Sequence, residues 1–312
     1  MTLLSKCPVC NHQSHQILAW GGYGYHVFDK IAGIQVDRAR EPYSLFECSN
    51  CFYIFKPPCL SDNELLDLYS RSTDRASGAP SSSSEPSNDM RLMRLARLCE
   101  VTALTHSIGR RVLEVGCSNG AMLQQWGSDW VKSGIEPSRA SAKVANQRGI
   151  NVVGAHIGDL KCGQWDCIVS VDTVEHIIDP MSFFRCAKDL LAPGGIIITL
   201  TGDMSFGLAR CAGSRYWYAS FPEHISFLVP ATFSYIAGKL NGQVIFSRLY
   251  RWGSPGALDG VQFLLQSIKY IIMYLVLSAS RSLGFKGVIS RRGFPVMTAH
   301  CDHSLTVMGR FQ

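Results

Sequence analysis

The sequence predicts an α/β fold: a mostly parallel sheet with helices on both faces, preceded by a small lobe built on cysteines. Three observations predict it. Between Arg111 and Leu200, short β-branched runs alternate with helical stretches. The first run ends in a tight turn of small residues, Gly116-Cys-Ser-Asn-Gly120. Ahead of the repeat stand two Cys-x-x-Cys pairs, Cys7/Cys10 and Cys48/Cys51, with 37 residues between Cys10 and Cys48.

Three regions follow from composition. Residues 1–70 form the cysteine lobe, with short β-like runs and too few apolar residues for a core of their own. Residues 71–89, RSTDRASGAPSSSSEPSND, are rich in Ser, Pro and Gly and read as a flexible linker. Residues 90–312 form the main domain. Asn88 or Asp89 caps its first helix, whose apolar faces come from Met90, Leu92, Met93, Leu95, Ala96 and Leu98. RVLEV (111–115) is the first strand, and Ala121 to Trp126 starts a helix. VKSGI (131–135) is the second strand, followed by a polar helix over 138–148. Val152-Val153 is a third strand and DCIVSV (166–171) a fourth, followed by a helix over 181–191. Pro193-Gly194-Gly195 turns into a fifth strand, IIITL. A helix over 231–240 leads to QVIFSRLY (243–250), the sixth, and SLTVMGRF (304–311) supplies a seventh.

Between the last two strands lies an insertion at about 252–302, with the apolar run VQFLLQSIKYIIMYLVL at 261–277. Lys269 sits near the middle of a run short for a span, which argues against a membrane crossing. A buried helix is the plain reading. A helix lying in a membrane interface is the sharper one, helped by Arg281, Lys286, Arg291 and Arg292 with no acid among them.

The totals exclude some functions. Of 312 residues, 46% are hydrophobic and 17% charged, as in a globular protein. A formal charge of +6, with no Lys/Arg stripe in the lobe, argues against nucleic acid as a partner. The N-terminus has no apolar core of signal-peptide length. Twelve cysteines without an export signal indicate a reducing compartment. The expectation is a cytoplasmic protein, with peripheral contact to the inner membrane face through 261–292 as the sharper alternative.

The turn points to a ligand. Parallel sheets bind ligands at the carboxyl ends of their strands, where the strand order reverses. A dinucleotide fingerprint wants glycine at 116, 118 and 121; here stand Gly, Ser and Ala. Glu114 fits poorly beside a pyrophosphate. It suits a ligand with a ribose, an ammonium group and no phosphate, such as S-adenosylmethionine (SAM). Glu136, 22 residues after Glu114 at the end of the second strand, suits ribose hydroxyls.

Five pieces in order, VLEVGCSNG (112–120), GIEPS (134–138), GDL (158–160), WDCIVSVDTVEHIIDP (165–180) and LAPGG (191–195), resemble the core of a class I SAM-dependent methyltransferase. The resemblance implies a Rossmann-like seven-stranded sheet and SAM as cofactor. It places Glu114, Gly116, Ser118 and Gly120 along the methionine side, Glu136 on the ribose and Asp159 at the adenine amino group. Asp172 adjoins the cofactor at the end of the fourth strand. Ser118 departs from the glycine of many members. The plain structural reading of Asp159 is a helix cap or loop acid.

Four cysteines in two knuckles suit one tetrahedral Zn²⁺ in a closed structural site. The alternative is a coincidental pair of buried thiols. The lobe, zinc-ribbon-like, resembles those fused to bacterial methyltransferases acting on deoxysugars, glycans or natural products; a zinc lobe also precedes some ribosomal RNA methyltransferases.

The reacting groups are sought after the fourth strand: Asp172, Glu175 and His176, with Glu223 and His224 farther on. Three readings stand. A histidine acts as a metal-free base for an acceptor hydroxyl. Asp172, Glu175, His176 and His224 hold a second divalent metal that positions the acceptor. Or His176 merely caps its turn. Tyr216, Trp217, Tyr218 and Phe221 either stack on an acceptor ring or belong to the core. The expected function is methyl transfer to a small molecule: a hydroxyl of a sugar, a glycan or lipid-linked precursor, or a secondary metabolite. The rivals are an RNA methyltransferase and a non-catalytic module that keeps the fold.

Overall fold

The structure, a computed structural model, describes residues 6–16, 30–31, 34–35, 45–56, 89–161, 163–205, 209–210, 216–220, 223–250 and 303–312, and the isolated positions 265, 268, 271, 272 and 275. Most of the linker 71–89 and of the insertion 252–302 lies outside the described residues.

The lobe contributes β1 (Ser14–Gln16), a two-stranded pair β2 (Lys30–Ile31) and β3 (Ile34–Gln35), then β4 (Phe46–Cys48) and β5 (Ile54–Phe55). In the main domain, α1 (Met90–His106) starts where Asp89 accepts from the Arg91 amide at 2.8 Å. Its buried face is Leu95, Ala96, Cys99 and Ala103, while Met90 and Met93 point outward, so the seam lies farther along the helix than the first apolar residues suggest. The repeat follows as β6 (Arg111–Val115), α2 (Ala121–Gln124), β7 (Val131–Ile135), α3 (Arg139–Gln147), β8 (Asn151–Gly154), β9 (Trp165–Val171), α4 (Pro180–Asp189) and β10 (Leu191–Gly202). Asp179 caps α4 by accepting from the Ser182 amide, and Pro180 at the first helical position has no amide to leave unpaired. β11 (Ser226–Phe227), α5 (Pro230–Lys239), β12 (Gln243–Tyr250) and β13 (His303–Gly309) complete the set.

Seven strands form one sheet in the order β12-β13-β10-β9-β6-β7-β8. β6 to β10 pair in parallel, and β13 runs antiparallel between β10 and β12. Pro193-Gly194-Gly195, expected as a turn, is a register break inside a longer strand: β10 pairs with β9 at Leu191 and again from Ile196, and Gly194 takes φ +77°. Alternation assigns the two faces. Val112, Cys167, Val169, Ile196, Ile198, Leu305 and Val307 pack with α1, α2 and the Trp126/Trp130 pair. Leu113, Val115, Ile168, Ile197 and Met308 pack with Phe183 and Phe184 of α4 and Phe233 and Ile236 of α5.

That second face also receives the lobe. Cys7, Val9, Phe46, Cys51, Tyr53 and Phe55 belong to the same buried cluster as Leu228 and Phe233. A second sheet, β1-β4-β5-β11, carries the lobe's strands onto β11. The strand order reverses between β6 and β9, whose carboxyl ends open the crevice for a ligand.

Candidate active site

The turn after β6 is anchored on β7: the Gly116 and Cys117 amides both donate to the Ile135 carbonyl, at 2.9 and 3.1 Å. Gly116 takes φ +78°, and a Cβ there would lie 2.3 Å from the Thr173 hydroxyl. Ser118 is left-handed too, φ 48°, which costs an L-residue about 1–2 kcal/mol. Its amide donates to Glu136 Oε2 at 2.9 Å, and Glu136 Oε1 accepts from the Ser138 amide at 2.7 Å. One carboxylate thus ties the turn to the start of α3. Gly120, φ 75°, begins α2. Glu114 is buried below the turn, and its Oε2 has no hydrogen-bond partner. Burial foremost, then the Glu136 charge, pushes its carboxyl well above the usual range. A ligand cation here would pair the orphaned oxygen and reverse that shift, so the donor set fits the ammonium group of SAM. Asp159 lies exposed in a short 3-10 turn, Ile157–Asp159, after β8.

At the end of β9 the chain turns through Asp172, φ 45°. Its Oδ1 lies 3.0 Å from His303 Nε2. Three residues on, Glu175 is fully buried, with Oε2 accepting from Thr201 Oγ1 at 2.9 Å and Oε1 accepting from the Tyr218 hydroxyl. Burial first, and the Asp172 charge next, raises its carboxyl to about 8. His176 Nδ1 faces the Glu223 carbonyl at 3.1 Å and His224 Nδ1 faces the Tyr218 carbonyl at 2.8 Å. A carbonyl only accepts, so both imidazoles carry hydrogen on Nδ1 and, when neutral, their lone pair on Nε2. The rings meet edge to face with centroids 4.8 Å apart. Burial lowers both pKa values, that of His224 well below the ordinary one, with His176 the next cause there. The pair is therefore neutral around pH 7.

Residues 68–245, more than half of the chain, match a protein-family model described as a methyltransferase domain. The chain belongs to that family. A ubiquinone biosynthesis O-methyltransferase of Bordetella avium (strain 197N) is 29% identical over 158 residues, covering 46% of this chain and 64% of the relative. One of Escherichia coli (strain K12 / DH10B) is 27% identical over 128 residues, covering 37% and 53%. The chain thus spans between half and two thirds of these relatives' own length. Among solved structures, a SAM-dependent methyltransferase from Thiobacillus denitrificans in complex with S-adenosyl-L-homocysteine (SAH) is similar at TM-score 0.42 and 18% identity, over 74% of this chain and 95% of that one. A putative sarcosine dimethylglycine methyltransferase from Galdieria sulphuraria gives 0.47 and 13%, over 71% and 86%.

The chain brings the four cysteines of its two Cys-x-x-Cys pairs together as two matching knuckles. In each, the amide four residues after the first cysteine donates back to that cysteine's carbonyl: Asn11 to Cys7 at 2.8 Å and Phe52 to Cys48 at 3.1 Å. Asn11 and Phe52 are both left-handed, φ 58°. The four sulfurs lie within 4.8 Å of one another, with Cys7–Cys51 at 3.5 Å and Cys10–Cys48 at 3.3 Å. Tetrahedral Zn²⁺ with ~2.3 Å bonds spaces its sulfurs ~3.8 Å apart, so the donor set fits that ion. None of the eight cysteines among the described residues is bridged.

Several expectations need correction. Asp172 is not part of the second cluster of metal donors, which comprises Glu175, His176 and His224 with ligand atoms within 4.8 Å. Asp172 instead pairs with His303, because the antiparallel β13 enters the sheet at the carboxyl ends of its neighbours, opposite Gly202. Glu175 is sealed between Thr201 and Tyr218, both of its oxygens accepting a hydrogen bond inside the protein. Tyr216 and Tyr218 are buried and belong to the core, Tyr218 lying against Gly202; the side chains of Trp217 and Phe221 lie outside the described residues. The insertion's helix is not buried where it is described: Leu265, Ile268, Ile271, Ile272 and Leu275 are 42–61% exposed. No described helix is long and apolar enough to cross a membrane. Sequence reasoning also missed His303, Thr201, Tyr53 and Lys56. His303 stands one residue before the expected last strand, and no local signal marks any of the four.

Proposed function

We propose that the chain methylates a hydroxyl of a small molecule, with His224 as the base and His176 as its partner. The observation that carries this reading is the pair of buried, neutral imidazoles beside the end of β9. When bound, SAM supplies an electrophilic methyl group on a sulfonium. Glu114, Gly116, Ser118 and Gly120 bind its methionine side. Glu136 holds the ribose, Asp159 the adenine amino group, and Asp172, steadied by His303, closes the site on the acceptor side. His224 Nε2 takes the acceptor's proton as its oxygen is alkylated. Burial of Tyr216, Tyr218 and Glu175 behind the pair keeps bulk water from that proton.

A divalent cation on Glu175, His176 and His224 is the second reading. Its ligand atoms are close enough, and the Nδ1–H bonds to carbonyls are compatible with coordination through Nε2, but both Glu175 oxygens already accept hydrogen bonds from Thr201 and Tyr218, which disfavours the ion. The four-cysteine site holds Zn²⁺ as structure, in a lobe spanning 1–70 and joined by the linker 71–89 to the catalytic domain 90–312.

The acceptor is a sugar, glycan precursor or secondary metabolite, and the insertion favours one carried on a lipid. Leu265, Ile268, Ile271, Ile272 and Leu275 recur at helical spacing and are exposed, and Arg281, Lys286, Arg291 and Arg292 follow in sequence. Such a face suits the inner leaflet of a membrane reached from the cytoplasm.

The test is transfer of a labelled methyl group from SAM into fractions of a cell extract. Label in sugar or lipid fractions is the expected result. Label in RNA alone would overturn the acceptor class, and SAH failing to bind in calorimetry would overturn the enzyme reading.

A further inference from the structure

The second knuckle reaches the acceptor side of the site through two buried side chains. Within the knuckle, the Cys48 amide donates to the Tyr53 carbonyl at 2.9 Å, so the position of Tyr53 is fixed by the cysteine hairpin. Tyr53 is 1% exposed, and its hydroxyl donates to Ser226 Oγ at 2.8 Å. The next residues form β5, which pairs antiparallel with β11 in the register Phe55–Ser226 and Ile54–Phe227. Lys56 continues the ladder, its amide donating to the Ile225 carbonyl at 3.0 Å. Its side chain, 2% exposed, turns inward and donates from Nζ to the Ala219 carbonyl at 3.1 Å.

These contacts bracket His224 on both sides. Ile225 and Ser226 follow it directly. Ala219 follows Tyr218, whose carbonyl holds the His224 ring. On the opposite side the same segment is tied to the catalytic turn, the Ile225 amide donating to the Glu175 carbonyl at 2.8 Å. Without residues 53–56, of these contacts the segment keeps the Glu175 anchor and the bond between His224 and the Tyr218 carbonyl. The cofactor side shares none of these bonds: the turn after β6 rests on Ile135, Glu136 and Thr173. Burial first, then His176 and then the Lys56 ammonium hold the His224 imidazole below its ordinary pKa.

We propose that Tyr53 and Lys56 are positioning residues for His224, so that the metal state of the cysteine lobe governs the acceptor side of the active site and leaves the cofactor side unaffected. This rests on reading His224 as the base.

The test uses the full chain with ¹⁵N-labelled histidine, the His224 ring signals being assigned by their loss in His224→Gln. Zinc content is measured by metal analysis and SAH affinity by calorimetry. The zinc-loaded wild type shows His224 as a single Nδ1-protonated tautomer. In Tyr53→Phe and in Lys56→Met, with zinc retained, the ring signals move toward those of an unrestrained imidazole while the SAH Kd stays within about twofold; Lys56→Arg restores most of the shift. Removing zinc with a chelator reproduces the Tyr53→Phe signals. Should the stripped chain unfold, the two zinc-loaded variants decide. Unmoved His224 signals in both, or SAH affinity falling in step with the signals, overturns the proposal. No acceptor is needed for any reading, so failure here is separable from failure to transfer a methyl group.

Discussion

The two halves of the proposed active site are built by different means. The cofactor half is local: one turn, 116–120, and one acid at the end of the next strand satisfy each other within about twenty residues of chain. The acceptor half is assembled from afar. Asp172 meets His303, Glu175 meets Thr201 and Tyr218, and His224 is bracketed by Tyr53 and Lys56. Backbone geometry carries the first half, and side chains converging from the ends of the chain carry the second. The lesson is that a cofactor can be held by one short local shape, whereas the surroundings of the acceptor depend on every distant segment that reaches them.

The comparison breaks most visibly at His224. His224→Gln should lower methyl transfer about 10²- to 10⁴-fold, the range for a lost general base, with SAH affinity unchanged in calorimetry. Equal loss of both would mean that the halves are not separable. Next, Cys48→Ser should reduce zinc from one ion per chain to none by metal analysis; a wild-type chain without zinc would remove the metal from the lobe. On the cofactor side, Glu136→Ala should weaken SAM roughly tenfold, the worth of about one charge-assisted hydrogen bond, without unfolding the chain. Unchanged affinity would sink the ribose assignment.

The smallest effect sharpens the acceptor half alone. The Glu175 carboxyl titrates near 8 when folded and near 4.5 otherwise. Between those values the unfolded chain has lost a proton that the folded chain keeps, so stability falls as pH rises. Glu175→Gln removes this loss. Its Tm relative to wild type should climb from pH 5 to pH 8 and level off above; a constant difference over that interval would show that the carboxyl is ionised in the fold.

The strands of the repeat were legible because buried parallel strands announce themselves as apolar runs, and the start of α1 because Asp89 caps it. Gly116 and Gly120 were legible for the same local reason, since positive φ and close approach restrict the residue type, and Glu136 by its spacing from that turn. His303 was not, since nothing in its neighbourhood distinguishes a strand residue at the sheet's carboxyl end from one a turn away. Tyr53 and Lys56 read as ordinary residues after a knuckle. Their roles depend on β5 meeting β11, a pairing across about 170 residues that no short pattern encodes. For Tyr216 and Tyr218 the sequence left core and acceptor stacking both open, because burial and ring recognition draw on the same side chains.

β13 lies between β10 and β12 although it follows both, some fifty residues after β12. A chain leaving the ribosome therefore holds two open strand edges until residues 303–309 arrive. Translation halted anywhere before that point leaves those edges ready to pair with another chain, and lacks the histidine that steadies Asp172. Premature termination late in the message should thus give aggregates in place of a shortened enzyme.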